Sequence, residues 1–383
     1  MQAKKTLLAI AMGVAAQGAY ADFISEGDLY ADTKVRFESV DADDAADAKT
    51  ANALTVDAAI GYETKEFYGF KVLAEYEVIK APINNYAPET AGYDTVADPE
   101  ESEWNRAQIS YAKDGVTAVV GRQRIILDNA RFVGNVGWRD NEQTFDAVTL
   151  GYTLGDVAVQ YSYVDQVNGI LRKFDADVSD HLLNVSYNTS LGKVTGYAYL
   201  LEDNDSDKTD DTYGVRFAGK KAINDTVTAL YSLEYATQSV DTGAAEFDAD
   251  YFALEAGALV KGVTLALGNE TLGSDDGAYG FQTALATKHA FNGWADMFLA
   301  TPADGLSDTY VKAAGAVKGV NLAAFYHTFD AVEGSDTYGS EVDVVASMVV
   351  AKTYTIGAKY ASYSADDFGV DTDKFWLWAQ TKF

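Results

Sequence analysis

The sequence predicts an all-β chain closed into a transmembrane, antiparallel up-and-down β-barrel of about 18 strands, with roughly 16 to 20 open. Three observations predict it. Apolar residues recur at every second position through nearly all of the chain beyond residue 27. Short turn-forming connections alternate with long acidic ones. The chain also closes on an alternating segment, Phe375, Leu377, Ala379, Thr381 and Phe383, whose last residue is aromatic.

Residues 1–21 read as a secretory signal peptide. Lys4 and Lys5 supply its positive end, residues 6–16 its apolar run, and Ala19-Tyr20-Ala21 a small-x-small cleavage site that leaves Asp22 first. No later run approaches the roughly 18 apolar residues of a spanning helix. The barrel domain is therefore expected over residues 22–383. In its first strand Leu29, Ala31, Val35 and Phe37 share one face, and Asp32, Lys34 and Arg36 the other. Leu54, Val56, Ala58 and Ile60 then alternate with Thr55, Asp57 and Gly61, and Phe70, Val72, Ala74 and Tyr76 with Lys71 and Glu75. The same period returns at Val157, Val227, Val263, Val342 and Tyr354. Short connections are expected at Asp114-Gly115, Gly155-Asp156, Gly192-Lys193, Lys261-Gly262, Asn292-Gly293 and Lys318-Gly319. Long acidic ones are expected at 41–49, 80–103, 165–180, 203–211 and 331–337. All four prolines should lie in long connections, because a strand interior needs the N–H that proline lacks.

A soluble sandwich would bury the alternating apolar faces, whereas a membrane barrel turns them to lipid. Strands of about ten residues, the asymmetry of the connections and aromatic residues near strand ends (Tyr62, Tyr68, Trp104, Tyr152, Tyr187, Tyr360) favour the membrane. A last strand ending in Phe383 resembles the signal by which the barrel-insertion machinery recognises its clients. The expected surroundings are then lipid and lipopolysaccharide of a Gram-negative outer membrane.

Composition narrows function. The 383 residues include 58 acidic and 29 basic ones and no Cys. Phosphate backbones would be repelled, so nucleic acid is not expected as a partner. Disulfides and Cys-ligated metals are excluded. Only His181, His289 and His327 offer an imidazole; no phosphate loop or HExxH is present, and neither a catalytic site nor a cofactor is expected. A hydrolase triad of His327, Ser362 and Asp366 lacks a sharp motif. Asp203-Asn204-Asp205-Ser206-Asp207 has the start of a calcium loop, but Lys208 replaces its glycine, so it reads as a solvated acidic turn and no metal site is expected.

The arginines are the functional signal. Of eight, six lie between residues 36 and 139: Arg36, Arg106, Arg122, Arg124, Arg131 and Arg139. The connection at 125–141 is apolar as well as basic, with Ile125, Ile126, Leu127, Phe132, Val133 and Trp138, so it should fold inward and narrow the lumen. Two readings stand side by side. The guanidiniums form a constriction that attracts anions, or they pair with acids such as Glu38, Asp57, Glu75 and Glu77 as a structural ladder.

Gly121-Arg122-Gln123-Arg124, Arg131-Phe132-Val133-Gly134, Gly137-Trp138-Arg139 and Phe145-Asp146-Ala147-Val148 together resemble the characteristic block of the alginate-export family of outer-membrane β-barrels. A second block, from Thr283 through His289-Ala290-Phe291-Asn292-Gly293-Trp294 to Leu306, is similar to the same family. The resemblance implies a monomeric barrel of about eighteen strands with an Arg-lined pore for a polyuronate, Asp146 included among its site residues. The expectation is a porin passing small hydrophilic solutes by passive diffusion, with preference for anionic sugar acids or oligo-uronates. A barrel hydrolase and a non-conducting structural or adhesive barrel are the alternatives.

Overall fold

Period-two alternation leaves each strand with one apolar and one polar face, and closing the sheet on itself satisfies both faces at once. The computed structural model describes residues 26–43, 48–206 and 208–383, so the leader read in residues 1–21 lies outside them. Eighteen strands form one sheet. They are β1 (Asp28–Ala42), β2 (Ala51–Glu63), β3 (Phe70–Asn85), β4 (Glu101–Lys113), β5 (Val116–Gln123) and β6 (Thr144–Leu154). Then follow β7 (Val157–Asn168), β8 (Ala176–Asn188), β9 (Lys193–Asp203), β10 (Lys208–Asn224), β11 (Val227–Asp241) and β12 (Glu246–Val260). The last are β13 (Val263–Leu272), β14 (Leu306–Val317), β15 (Val320–Asp330), β16 (Thr337–Val350), β17 (Tyr354–Ala365) and β18 (Thr372–Lys382). Each pairs antiparallel with its neighbours in sequence, and β18 returns to β1 from Asp32↔Lys382 to Ala42↔Thr372. No strand edge remains, which is what a sheet needs in a medium without hydrogen-bonding solvent.

The rows predicted to be apolar point outward. Leu29, Ile60, Leu150, Leu265, Leu267, Val311 and Val344 are all exposed, while the inward rows hold buried Arg36, Glu75, Glu234 and Asp343. A water-soluble protein would not tolerate such a belt. A closed barrel with an apolar outer belt is a bilayer-spanning structure of the bacterial outer-membrane type. Tyr68, Trp104, Tyr152 and Tyr187 are exposed near strand ends, where an interfacial girdle is needed.

One rim carries the start of β1, the end of β18 and the tight turns. At Asp114-Gly115, Lys261-Gly262 and Lys318-Gly319 both central residues have positive φ, the geometry that matches the twist of a two-residue hairpin. The other rim carries the long connections. Several strands extend into stretches expected to be connections, since β3 continues to Asn85, β8 begins at Ala176 and β10 at Lys208. Pro82 accordingly lies inside β3. It sits where the register with β2 shifts between Leu54↔Ile83 and Val56↔Lys80, a bulge where the missing N–H costs no ladder bond. The stretch around 281–299 forms no barrel strand, and Asn292-Gly293 is not a hairpin turn: both belong to the connection between β13 and β14, which enters the lumen. The acidic run after Asp203 closes β9 to β10, its backbone held by Asp203 Oδ1 accepting from Asp205 and Ser206 N–H, while Asp207 lies outside the described residues.

Candidate functional site: a lumen narrowed by two inward segments

Two connections from the long-loop rim fold inward and pack on each other, residues 124–143 between β5 and β6 and residues 273–305 between β13 and β14. Their backbones join at Val133↔Leu285, with Gly134 N–H donating to Leu285 O at 2.9 Å and Thr287 N–H to Ala130 O at 3.0 Å. The Gln143 amide donates to Gly134 O and Leu285 O, at 2.9 and 3.0 Å, and so satisfies carbonyls of both segments. Their apolar side chains explain why they leave water: Ile125, Leu127, Phe132, Val133, Leu285 and Phe298 join one buried cluster with wall residues such as Tyr197, Tyr251 and Phe329. The Phe132 ring lies 5.1 Å from that of Tyr251 and 5.2 Å from that of Tyr197. The inward fold expected of 125–141 is therefore observed.

The second segment is fixed to the wall by its backbone. Ala295 N–H donates to Glu341 at 2.7 Å and Trp294 N–H to Asp343 at 3.3 Å. Gly293 sits at φ +84°, and a Cβ there would fall 2.3 Å from Glu341 Oε2, so a side chain would strain the backbone and push the Glu341 carboxylate off the Ala295 N–H.

The six arginines separate into three groups. Arg36, Arg131 and Arg139 are buried and fully engaged. Arg36 donates to Trp138 O at 2.5 Å and pairs with Asp98, with Asp140 at 3.5 Å. Arg139 meets Glu38 at 2.9 Å, Asp98 at 3.1 Å and Asp296 at 3.0 Å. Arg131 donates to Glu270 at 2.6 Å and to Asn292 at 2.9 Å. These three hold the segments in place. Burial pushes the Asp98 carboxyl up, but the Arg36 and Arg139 guanidiniums outweigh it and hold it well below the usual carboxylate range.

Arg106 and Arg124 face the lumen and keep part of their surface open. Arg106 is bidentate to Glu75, at 2.7 and 2.9 Å, and Arg124 pairs with Glu142, its Nε 2.6 Å from Oε2. Arg122 and Asp146 form the third group, and here the sequence expectation is corrected. They pair at 2.8 Å as the last rung of the row Val116↔Tyr152, Ala118↔Leu150 and Val120↔Val148. Those apolar partners are exposed on the outer belt. Residues two apart share a face, so Arg122 and Asp146 stand on the outer wall near its rim rather than in the lumen.

A cluster that the sequence did not signal ties both segments to the wall. Lys359, on the inward row of β17, is buried, with Nζ 3.7 Å from the Trp294 ring centre, 4.2 Å from Trp138 and 5.3 Å from Trp376. It donates to His289 Nε2 at 2.7 Å, and His289 Nδ1 lies 2.6 Å from Asp296 Oδ1. With Nε2 accepting, the imidazole is the neutral Nδ1–H tautomer. Trp138 stacks on it at 5.0 Å. His289 lies inside the lumen because its whole block, expected to turn at Asn292-Gly293, is an inward segment.

Burial pushes the His289 pKa down to about 3, against the upward pull of Asp296. Free imidazole titrates near ~6.5, so between these values the undocked segment binds a proton that the docked one does not. Docking is therefore complete above the higher value and weakens as pH falls below it, by up to ~1.4 kcal/mol per pH unit. We expect current noise to be constant from pH 7 to 8 and to grow towards pH 4. Replacing His289 with Gln should flatten that rise, and an unchanged profile in the variant would remove His289 from the account.

Two cavities flank this cluster. One of about 550 Å³ lies towards the long-loop rim, bounded by Arg139, Lys288, His289 and the Asp180 and Asp210 carboxylates. One of about 330 Å³ lies at mid-barrel, bounded by Arg216, Glu234, Lys312 and Trp294. The other histidine of interest, His327, donates or accepts at 2.8 Å with Asp308 on the inward face, whereas Ser362 pairs in register with outward Val342. Ser362 and His327 are on opposite sides of the wall, so that triad does not form.

The fold is that of outer-membrane porins. The barrel superposes on OccK9 (OpdG) of Pseudomonas aeruginosa with a TM-score of 0.75 at 12% identity, covering 94% of this chain and 99% of that one. OccAB4 of Acinetobacter baumannii gives 0.73 at 15% identity over 95% and 99% of the two chains. OpdK of Pseudomonas aeruginosa, solved with vanillate, gives 0.71 at 14% identity over 93% and 98%. No protein-family model and no curated protein sequence matches the chain.

Proposed function

We propose that this barrel is an outer-membrane channel for passive diffusion of small hydrophilic solutes that carry a carboxylate, sugar acids and short oligo-uronates among them. The observation that carries this reading is a closed lipid-facing barrel whose lumen is narrowed, from one rim, by two docked segments with a cavity on either side. The two blocks that resemble the alginate-export family coincide with those segments, the parts of the chain that set the width of the path. A cavity of about 550 Å³ admits solutes of one or two rings rather than a polymer coil. Arg106 and Arg124 are the guanidiniums such a solute meets, and the solved neighbour OpdK holds vanillate, itself a small carboxylate.

The test is reversal potential across a planar bilayer under a salt gradient. A luminal charge within about 4 Å of a passing ion acts with ~1 kcal/mol even at the dielectric of water, a several-fold change in permeability. We expect Arg106→Gln with Arg124→Gln to lower the anion-to-cation ratio by that order. Arg122→Gln, on the outer wall, should leave it unchanged. Equal shifts from both variants, or none from the luminal pair, would overturn the arginine assignment.

A further inference from the structure

Several charges along the lumen are matched, Lys34 with Asp140, Arg124 with Glu142, Lys312 with Glu255 and Arg139 with three carboxylates, while others such as Asp57 and Glu77 stand as a like-charged pair on one wall. The cavity towards the long-loop rim differs in holding unpaired groups of both signs. Lys288 lines it with no carboxylate within 4.0 Å among the described residues, and burial and Arg131 together push its pKa down. Asp180 on β8 and Asp210 on β10 line the same cavity with no cation within 4.0 Å among the described residues. Lys208 lines the cavity as well and attracts Asp210 from beyond ion-pair distance. Asp180 accepts from the Glu202 N–H at 3.0 Å, and Asp210 accepts from the Thr212 hydroxyl at 3.3 Å and from the Gln238 amide. Both carboxylates keep acceptor capacity in hand.

The two signs stand on different bodies. β8 to β10 lie across the eighteen-stranded barrel from β17, β18 and β1. Lys288 belongs to the segment docked through His289 on Lys359 of β17. Much of the remaining lining is apolar, with Val136, Val178, Leu201, Leu285 and Leu299. A simple anion would satisfy Lys288 and approach two bare carboxylates; a simple cation would do the reverse. Only a solute with both charges and an apolar stretch between them matches all three sides of the cavity.

We propose that this cavity binds small zwitterions with an apolar body, their carboxylate at Lys288 and their ammonium at Asp180 and Asp210. The proposal rests on the channel reading only in placing the site on a solute path, and it narrows the solute class from carboxylates to amino-carboxylates. The test is calorimetric titration of the refolded full chain in detergent with 6-aminohexanoate, hexanoate and hexylamine. We expect 6-aminohexanoate to bind at least tenfold more tightly than either single-charge probe. Lys288→Gln should cut that affinity about tenfold and leave hexylamine binding intact, and Asp210→Asn should cut it similarly and leave hexanoate binding intact. Lys288→Arg should restore it. Equal binding of the three probes, or undiminished 6-aminohexanoate binding by Lys288→Gln with the barrel folded by heat-modified electrophoretic mobility, would overturn the site. Conductance of the same preparations separates the two claims. Current without selective binding keeps the channel and rejects the site, while selective binding without current keeps the site and rejects the channel.

Discussion

Replacing Arg139 with Gln should undock the inward segments at a cost of about 3–5 kcal/mol, the penalty of stranding buried carboxylates without their cation. Arg139 serves Glu38 from β1, Asp98 from the connection before β4 and Asp296 from the second segment. All three are buried with it. Asp296 retains His289 and Lys374, and Asp98 retains Arg36, but Glu38 loses its one ion-pair partner. The control is Arg172→Gln. Arg172 pairs with Glu101 at the exposed rim, where water already screens the interaction, and its removal should cost under about 1 kcal/mol. Limited proteolysis within residues 124–143 and 273–305 reports docking directly. Rapid cleavage in Arg139→Gln with slow cleavage in Arg172→Gln is the expected pattern, and equal rates would show that the Arg139 network does not hold the segments.

The barrel was legible because its cause is local. Alternation fixes which face is apolar, and positive-φ dipeptides such as Lys318-Gly319 fix where a strand reverses, so both can be read without knowing any partner. The segments were only half legible. Their apolar content announced that residues 125–141 leave water, yet Asn292-Gly293 read as a hairpin turn and hid the second segment, since a segment buried in a lumen and a strand facing lipid are equally apolar. The arginines show a different limit. Their clustering is a fact of sequence, but their chemistry is set by acids far away along the chain, Arg131 by Glu270 and Arg139 by Asp296. Arg122 is the instructive exception: its parity with Val116, Ala118 and Val120 already assigned it to the outer face, and grouping it with Arg124 as one motif obscured that. Lys359 left no signal beyond its place on a polar row, because an aromatic cage assembled from Trp138, Trp294 and Trp376 exists only after two segments and two strands have met.

That cage makes Lys359→Met the variant with the largest expected effect on conduction. The side chain is an ammonium surrounded by three indoles and one imidazole, and desolvated cation–π contacts contribute ~2 kcal/mol or more. The hydrogen bond to His289 adds about 1 kcal/mol. Met keeps most of the volume, so the loss is of charge and not of packing, and the barrel wall itself should remain paired through β16, β17 and β18. What loosens is the stretch 288–296, which carries His289 on the side of the larger cavity and Trp294 on the side of the smaller one. It is the partition between them. Freed from Lys359, it should fluctuate, joining the cavities for part of the time. Single-channel records should then show higher mean conductance with flickering, whereas Lys359→Arg, which keeps the charge, should stay near the parent trace. Parent-like currents from Lys359→Met would mean that the backbone bonds to Glu341 and Asp343 alone hold the partition, and that the path runs elsewhere in the lumen.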